Sequence, residues 1–559
     1  MVTSGCFAVC HADFGIPSTF YRGPIVDLQK VPARVGNPRQ VVPTRHVGAG
    51  SKLIFRSSRQ PSHCSGLDAL LSLGQTPIEA EVSVVLQINL VRWRKNPRAA
   101  TVVLDGLAKK RLPYVSVHVL TVMQANRVEV DVYHCNAAIS ACGRGGQWQL
   151  ALDLMSLMPQ ARVVSNKITY SAAISACSKG GQWQLALKLL SLMPEKRLVP
   201  DEITYNAAIS ACSKSGQWQL SLNLLSLMPE ARLVPNKITY SAAISACEKG
   251  GQWQLALNLL SLMPDARVVP NEITYNAAIS ACKRGGQWQL ALNLLSLMPE
   301  VRVMPDEITY SAAISACENG GKWQLALNLL SLMPEARVVP NKITYNAAIS
   351  ACEKGRQWQL ALNLLSRMPD ARLVPDEITY NAAISACGRG GQWQLALNLL
   401  SLMPEVTLVP NEITYNAATS ACENGGQWQL ALNLLSRMPA ARVVPSEISY
   451  NAAISACEKK GQWQLALGLL SGMTGMSVIP DEVSYNAAIR TCEKAGQWQL
   501  ALRLLSSMPD MRLTPDILTY SSAMSACEKG GQWQLAVSLL SGVPDPLLVA
   551  RKEGSGSWR

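Results

Sequence analysis

Every 35 residues between Asn136 and Asp516, two polar positions change identity while the residues around them hardly vary. Numbering each unit from its first residue (Val132 in the first unit, Glu272 in the fifth), these are positions 5 and 35. Position 5 is Asn or Ser, and position 35 is Asp, Asn or, once, Ser. The successive pairs are Asn136 with Asn166, Ser171 with Asp201, Asn206 with Asn236, Ser241 with Asn271, Asn276 with Asp306, and Ser311 with Asn341. They continue as Asn346 with Asp376, Asn381 with Asn411, Asn416 with Ser446, Asn451 with Asp481, and Asn486 with Asp516. Amides, hydroxyls and carboxylates of this kind donate and accept hydrogen bonds, which is the chemistry of recognition. Two turn caps per unit, both built from common turn residues, are the competing explanation. Capping explains polarity but not why these two places alternate between two or three side chains.

A third position carries charge. Position 13 is basic in ten units: Arg144, Lys179, Lys214, Lys249, Arg284, Lys354, Arg389, Lys459, Lys494 and Lys529. One cation per unit suits a regularly spaced anion such as a phosphate chain, while a solvated charged face is the alternative. Glu at position 12, as in Glu248, partly offsets it. Catalysis finds little support. All five histidines lie at or before His134, so the repeats contain no residue suited to general acid-base work near neutral pH beyond that point. Twelve of the sixteen cysteines, Cys142 through Cys527, recur at position 11 without any C-x-x-C, which predicts small buried hydrophobes in a reducing compartment and no metal site. We expect no enzyme activity, no cofactor and no catalytic or metal-binding residue.

The elements that must position these residues are set by twelve tryptophans, Trp148 through Trp533, each 35 residues after the last. A strict period of this length marks stacked structural repeats. In the fifth unit Tyr275, Ala278, Ile279 and Cys282 recur at i, i+3, i+4 and i+7, one apolar stripe of a helix. Gly286 is a stop signal, and a second amphipathic segment runs from Trp288 to Met298. Pro299 interrupts the helical pattern, and Arg302 to Pro305 reads as an extended connector. Each unit is therefore a helix-turn-helix hairpin that cannot bury both apolar faces alone. The predicted fold is all-α, an α-solenoid of stacked 35-residue hairpins over residues 132–551, with the tryptophans as packing anchors.

Charge is uneven along the chain. Of the net +13, residues 1–131 supply a surplus of eight and the remaining 428 residues only five. Residues 1–60 hold all four phenylalanines and eight Lys/Arg against Asp13 and Asp27, the pattern of an organelle transit peptide, with an ordinary disordered tail as the alternative. No stretch approaches the roughly 18 apolar residues of a membrane span, so no membrane partner is expected. Residues 552–559 read as a disordered tail.

Ile-Thr-Tyr-Asn at positions 2–5, Ala-Leu in the second helix, Met at 27 and Pro-Asp or Pro-Asn at 34–35 resemble the pentatricopeptide repeat family over 420 residues. Trp at 17, where that family usually has an aliphatic residue, and Pro at 28, where its second helix usually continues, depart from it. The tetratricopeptide family is the nearest competitor and would make the chain a protein-protein scaffold. Its period is 34 and its Trp sits in the first helix. Residues 97–131 align without a gap as a degenerate thirteenth repeat or N-terminal cap, and residues 61–96 are either a further degenerate repeat or unassigned.

The resemblance implies a right-handed superhelix that binds single-stranded RNA, one base per repeat, with positions 5 and 35 reading the base. It also implies the P-class subtype, a monomer, an organellar location (plastid before mitochondrion), and recruited RNA-processing proteins as further partners. A carboxylate at 35 suits the ring N–H of uracil or guanine, and an amide there suits the bare ring nitrogen of cytosine or adenine. A short Ser at 5 leaves room for a purine, and Ile or Val at 2 would wedge between bases. In order, the pairs spell 5′-YGYAUAUYCUU-3′, preceded by G if Thr101 with Asp131 also reads.

Overall fold

Each first helix begins where a side chain satisfies its unpaired N–H groups, and that side chain is position 35 of the preceding unit. In the computed structural model, which describes residues 66–476 and 478–540, Oδ1 of Asp306 accepts the Thr309 N–H at 2.9 Å. Thr309 Oγ1 in turn accepts the Asp306 N–H at 3.0 Å. This reciprocal cap recurs at Asn166, Asn236, Asn271, Asn341, Asp376, Asn411 and Asp516. The first helix then runs thirteen residues, Glu272–Arg284 in the fifth unit. Gly286 turns the chain with φ +68°, a left-handed conformation that costs glycine little. The second helix follows at once, Trp288–Glu300.

Two expectations about the hairpin's end need correction. Pro299 does not stop the helix: in units two to six the second helix runs on through Pro194, Pro229, Pro264, Pro299 and Pro334. Nor is the connector extended at its start, because Arg302 is left-handed with φ +60°. Both have one cause. The Val303 N–H reaches the Met298 carbonyl at 2.9 Å and the Arg302 N–H reaches the Pro299 carbonyl at 3.0 Å. These bonds close the helix end in a Schellman motif, using carbonyls rather than the missing proline N–H. An arginine in place of glycine at such a turn costs about 1 kcal/mol, yet it recurs here in unit after unit.

The described residues form 28 α-helices, two short 3-10 turns and no strand. Consecutive first helices pack on one another, while each second helix packs on its own first helix and on the next one. The result is an α-solenoid. Its core lies between the two layers, where Tyr275, Ala278, Ile279 and Cys282 meet Ala291, Leu295 and Met298. The stripe read from the sequence is only part of the buried face. Ala277, Ala281, Thr274 and Asn276 are buried as well, because a first helix has neighbours on almost every side. Alanine at positions 6, 7 and 10 lets those backbones approach.

The tryptophans cross the junctions. A Cβ added at Gly320 would stand 2.4 Å from Trp288 Cδ1, so the indole lies directly on the end of the next first helix. Trp288 is half-buried in this contact, whereas Trp533, beyond which no further hairpin is described, is 66% exposed. The position-11 cysteines are buried and unpaired. Burial pushes the Cys142 and Cys177 thiols up to about 12 and about 11. Before the first unit lie the helices Gly66–Leu71, Glu79–Lys95, Arg98–Lys109 and Pro113–Ala125, and the third of these packs on Val132–Arg144. Residues 1–60, residues 552–559 and Arg551 lie outside the described residues.

Candidate nucleic-acid interface

Positions 5 and 35, thirty residues apart, meet. Asn276 Nδ2 donates to Asp306 Oδ1 at 3.1 Å, and Asn451 Nδ2 to Asp481 Oδ1 at 3.1 Å. Asn136 with Asn166, Asn206 with Asn236, Asn346 with Asp376, and Asn381 with Asn411 repeat the bond at 3.3–3.5 Å. Position 5 is not on an open helix face. Asn276 is 8% exposed and Ser241 9%, because the next first helix covers them.

What makes that burial tolerable is a residue the sequence reading missed. Thr309, fully buried, donates its hydroxyl to Asn276 Oδ1 at 2.5 Å while holding the cap of Asp306. The same bond joins Thr169 to Asn136, Thr239 to Asn206, Thr379 to Asn346 and Thr519 to Asn486. Ser449 and Ser484 make it to Asn416 and Asn451. Its signal was in the sequence: Thr or Ser at position 3 stands three residues after position 35, the spacing of a capping box. Where position 5 is Ser, the hydroxyl either meets the same threonine or turns back to its own helix. Ser171 Oγ lies 2.6 Å from Thr204 Oγ1, whereas Ser241 and Ser311 donate to the carbonyls of Lys237 and Glu307 at 2.7 Å. In the first unit His134 replaces Thr and is buried between Asp131 and the Pro97 carbonyl.

Capping and display are therefore compatible at position 35. A cap needs an acceptor, so Oδ1 is consumed, leaving the second terminal atom to other partners: a carboxylate oxygen for Asp, an amide N–H₂ for Asn. Position 1 reaches that atom in four units. Lys167 and Lys342 hold Asp201 and Asp376 Oδ2 at 3.0 and 3.2 Å. Glu377 accepts from Asn411 Nδ2 at 3.2 Å, and Glu307 accepts from Asn341 Nδ2. Burial alone would raise the Asp306 carboxyl, but hydrogen bonds from Thr309 and Asn276 outweigh it and hold it below the usual carboxylate range. Asp201, Asp376 and Asp516 are depressed in the same way.

Around each pair stand the other candidate residues. An open cleft at the junction of units one and two is lined by Gly143, Arg144, Ser171, Lys179, Asp201 and the exposed side chains of Ile168 and Ile203. Position 2 is a large apolar residue at least half exposed in every unit, for example Ile273 at 60% and Ile343 at 65%. The position-13 cations end the first helices on the same side. Several are bound to carboxylates there: Arg284 to Glu248 at 3.7 Å, Lys354 to Glu318 at 3.0 Å, Arg389 to Glu353 at 3.2 Å, and Lys494 and Lys529 to Glu458 and Glu493 at 2.9 Å.

Comparison with known proteins places this geometry. The PPR repeat family model matches residues 166–214, 200–249, 270–319, 340–389, 375–424, 445–494 and 480–529, together just over half of the chain. A pentatricopeptide repeat domain model matches 118–180, 303–355 and 410–460. No curated protein matches. Among solved structures, the chain is similar to the pentatricopeptide repeat protein PPR10 from maize, with 19% identity, TM-score 0.48, and 86% of this chain and 87% of that one covered. PPR10 in complex with an 18-nt psaJ RNA element matches at 22% identity and TM-score 0.40, covering 86% and 68%. The PPR domain of Arabidopsis thaliana protein-only RNase P 1 in complex with tRNA matches at 18% identity and TM-score 0.25, covering 38% and 95%.

Proposed function

The chain belongs to the pentatricopeptide repeat family, and from that premise we propose that it binds single-stranded RNA in a sequence-specific manner, one base per hairpin. One observation carries this reading: in six units the Asn at position 5 bonds Oδ1 of position 35, the atom that also caps the next helix, and the second terminal atom of position 35 is left to other partners. Oδ1 caps the helix in both Asp and Asn, so the alternation acts on the second atom, which position 1 reaches in four units and not in the others among the described residues. The alternation changes that second atom from acceptor to donor, the kind of change that discriminates base edges. Ser446 has no second atom, which makes the ninth hairpin the least selective of the set. The exposed residue at position 2 of each hairpin offers a surface between successive bases.

The proposed target remains 5′-YGYAUAUYCUU-3′, read with the RNA parallel to the chain. The protein acts by occupancy, in an organelle, on transcripts that recruited proteins then process, splice or translate. Residues 97–131 serve as the N-terminal cap of the array, and residues 1–60 as the leader that delivers it.

Binding to this 11-mer and to a scrambled 11-mer tests the assignment, and Ser241→Asn sharpens it. The introduced amide meets Asn271 as Asn206 meets Asn236, so the preferred fourth base shifts from A towards C. Each wrong base costs about 1 kcal/mol. Unchanged preference at the fourth base counts against the reading of position 5, and binding to neither RNA favours the scaffold.

A further inference from the structure

The position-13 cations divide into two sets by a register visible only between hairpins. Each lies beside position 12 of the preceding hairpin, 36 residues earlier. From Arg284 onward that neighbour is a glutamate: Glu248 beside Arg284, Glu318 beside Lys354, Glu353 beside Arg389, Glu423 beside Lys459, Glu458 beside Lys494, and Glu493 beside Lys529. Towards the N-terminus the same register holds Ala108, Gly143, Ser178 and Ser213, beside Arg144, Lys179, Lys214 and Lys249. No carboxylate pairs with these four cations among the described residues. The one acid lining the cleft that holds Arg144 and Lys179, Asp201, is bound by Lys167 at 3.0 Å.

The four stand close enough to act on one another. Lys249 Nζ lies 3.4 Å from the Lys214 carbonyl. Partial burial and then repulsion from Arg144, Arg111 and Lys214 hold the Lys179 ammonium below its ordinary range, and burial with repulsion from Lys249 does the same to Lys214. A row of like charges left unneutralised is costly to the free protein, and a polyanion laid along it relieves that cost.

Resting on the RNA-binding reading, we infer that hairpins one to four grip the RNA phosphates electrostatically, while the hairpins from Arg284 onward bind with little counterion release. Affinity thus has a polarity. The N-terminal cations capture the strand largely without regard to sequence, and the neutralised C-terminal hairpins contribute mainly base reading. Because the cations to the C-terminal side already have carboxylate partners, a phosphate there must displace one charge to gain another.

The test transplants the register in both directions and reads the slope of log K against log salt. Ser178→Glu with Ser213→Glu places carboxylates beside Lys214 and Lys249 without removing a cation. It lowers the slope by about 1.4, at about 0.7 per phosphate on a single strand. Glu318→Gln with Glu493→Gln frees Lys354 and Lys529 and raises the slope by a similar amount. Both are measured on the full chain with the proposed 11-mer and its scramble, with circular dichroism reporting the fold. The inference is overturned if either folded variant keeps the wild-type slope. If the slopes move but the two RNAs bind equally, the base assignment fails and the polarity stands. If neither RNA binds, both fall together.

Discussion

Thr309→Val removes one hydroxyl and leaves the shape of the side chain intact. Thr309 Oγ1 accepts the Asp306 N–H at 3.0 Å and donates to Asn276 Oδ1 at 2.5 Å, and Thr309 is fully buried. Without it, the Asn276 carbonyl is a buried acceptor with no partner, at a cost of about 2 kcal/mol. The Asp306 N–H is nearer solvent, so water recovers part of its bond and the added cost is about 0.5–1 kcal/mol. The expected loss is thus about 2–3 kcal/mol at one junction, falling on units five and six because each hairpin contacts only its neighbours. Amide hydrogen exchange resolves such a local effect. Exchange in the helix Glu307–Asn319 should accelerate about 30- to 150-fold if it proceeds by local opening, with distant hairpins unchanged. Thr309→Ser should restore protection, since Ser449 and Ser484 make the same bonds in their own units. Selectivity at the fifth base should weaken with the valine and return with the serine. Equal protection in the valine and serine variants would refute the reasoning, because the hydroxyl would then not hold the pair.

Ser221 offers the converse case. Its hydroxyl is fully buried and finds no partner, and ten of the other eleven units carry a buried Ala at that position. Ser221→Ala should therefore raise stability by about 1–2 kcal/mol in a urea melt. The depressed carboxyls of Asp201, Asp306, Asp376 and Asp516 contribute stability that is fully present above their unfolded value. That stability is lost as pH falls through the lower folded values, so melting temperature should hold between pH 7 and 5 and drop below about pH 4; an earlier decline would point to other groups. Lys342→Ala frees Asp376 Oδ2 from an ion pair with a half-exposed partner. Binding of RNA with U at the seventh base should tighten by no more than about fivefold, the worth of such a pair.

Much of the hairpin was legible in the residues alone. A period of 35 with one apolar stripe, a turn glycine and a second amphipathic segment admits few structures, and the helices begin and turn where those signals stand. The ends of the second helices were not, because proline and arginine each have a strong local preference that the Schellman bonds override. The candidate site was legible as a pair of variable positions, but its geometry was not. Sequence placed Asn276 and Asp306 thirty residues apart and left capping and reading as rivals. In the fold Oδ1 serves the cap, and the second atom is left to other partners, Lys342 at Asp376 among them.

What the sequence determined by itself is the repeat, its all-helical character and the chemical types available at each position, because these follow from periodicity and from side-chain donors and acceptors. What only the tertiary structure decided is which residues of different hairpins become partners. Thr309 with Asn276, Trp288 with the Gly320 turn, and Arg284 with Glu248 are pairs 32 to 36 residues apart, joined by the offset at which one hairpin stacks on the next. That offset is set by how closely alanine-faced first helices can approach, a property of packing that no single unit contains.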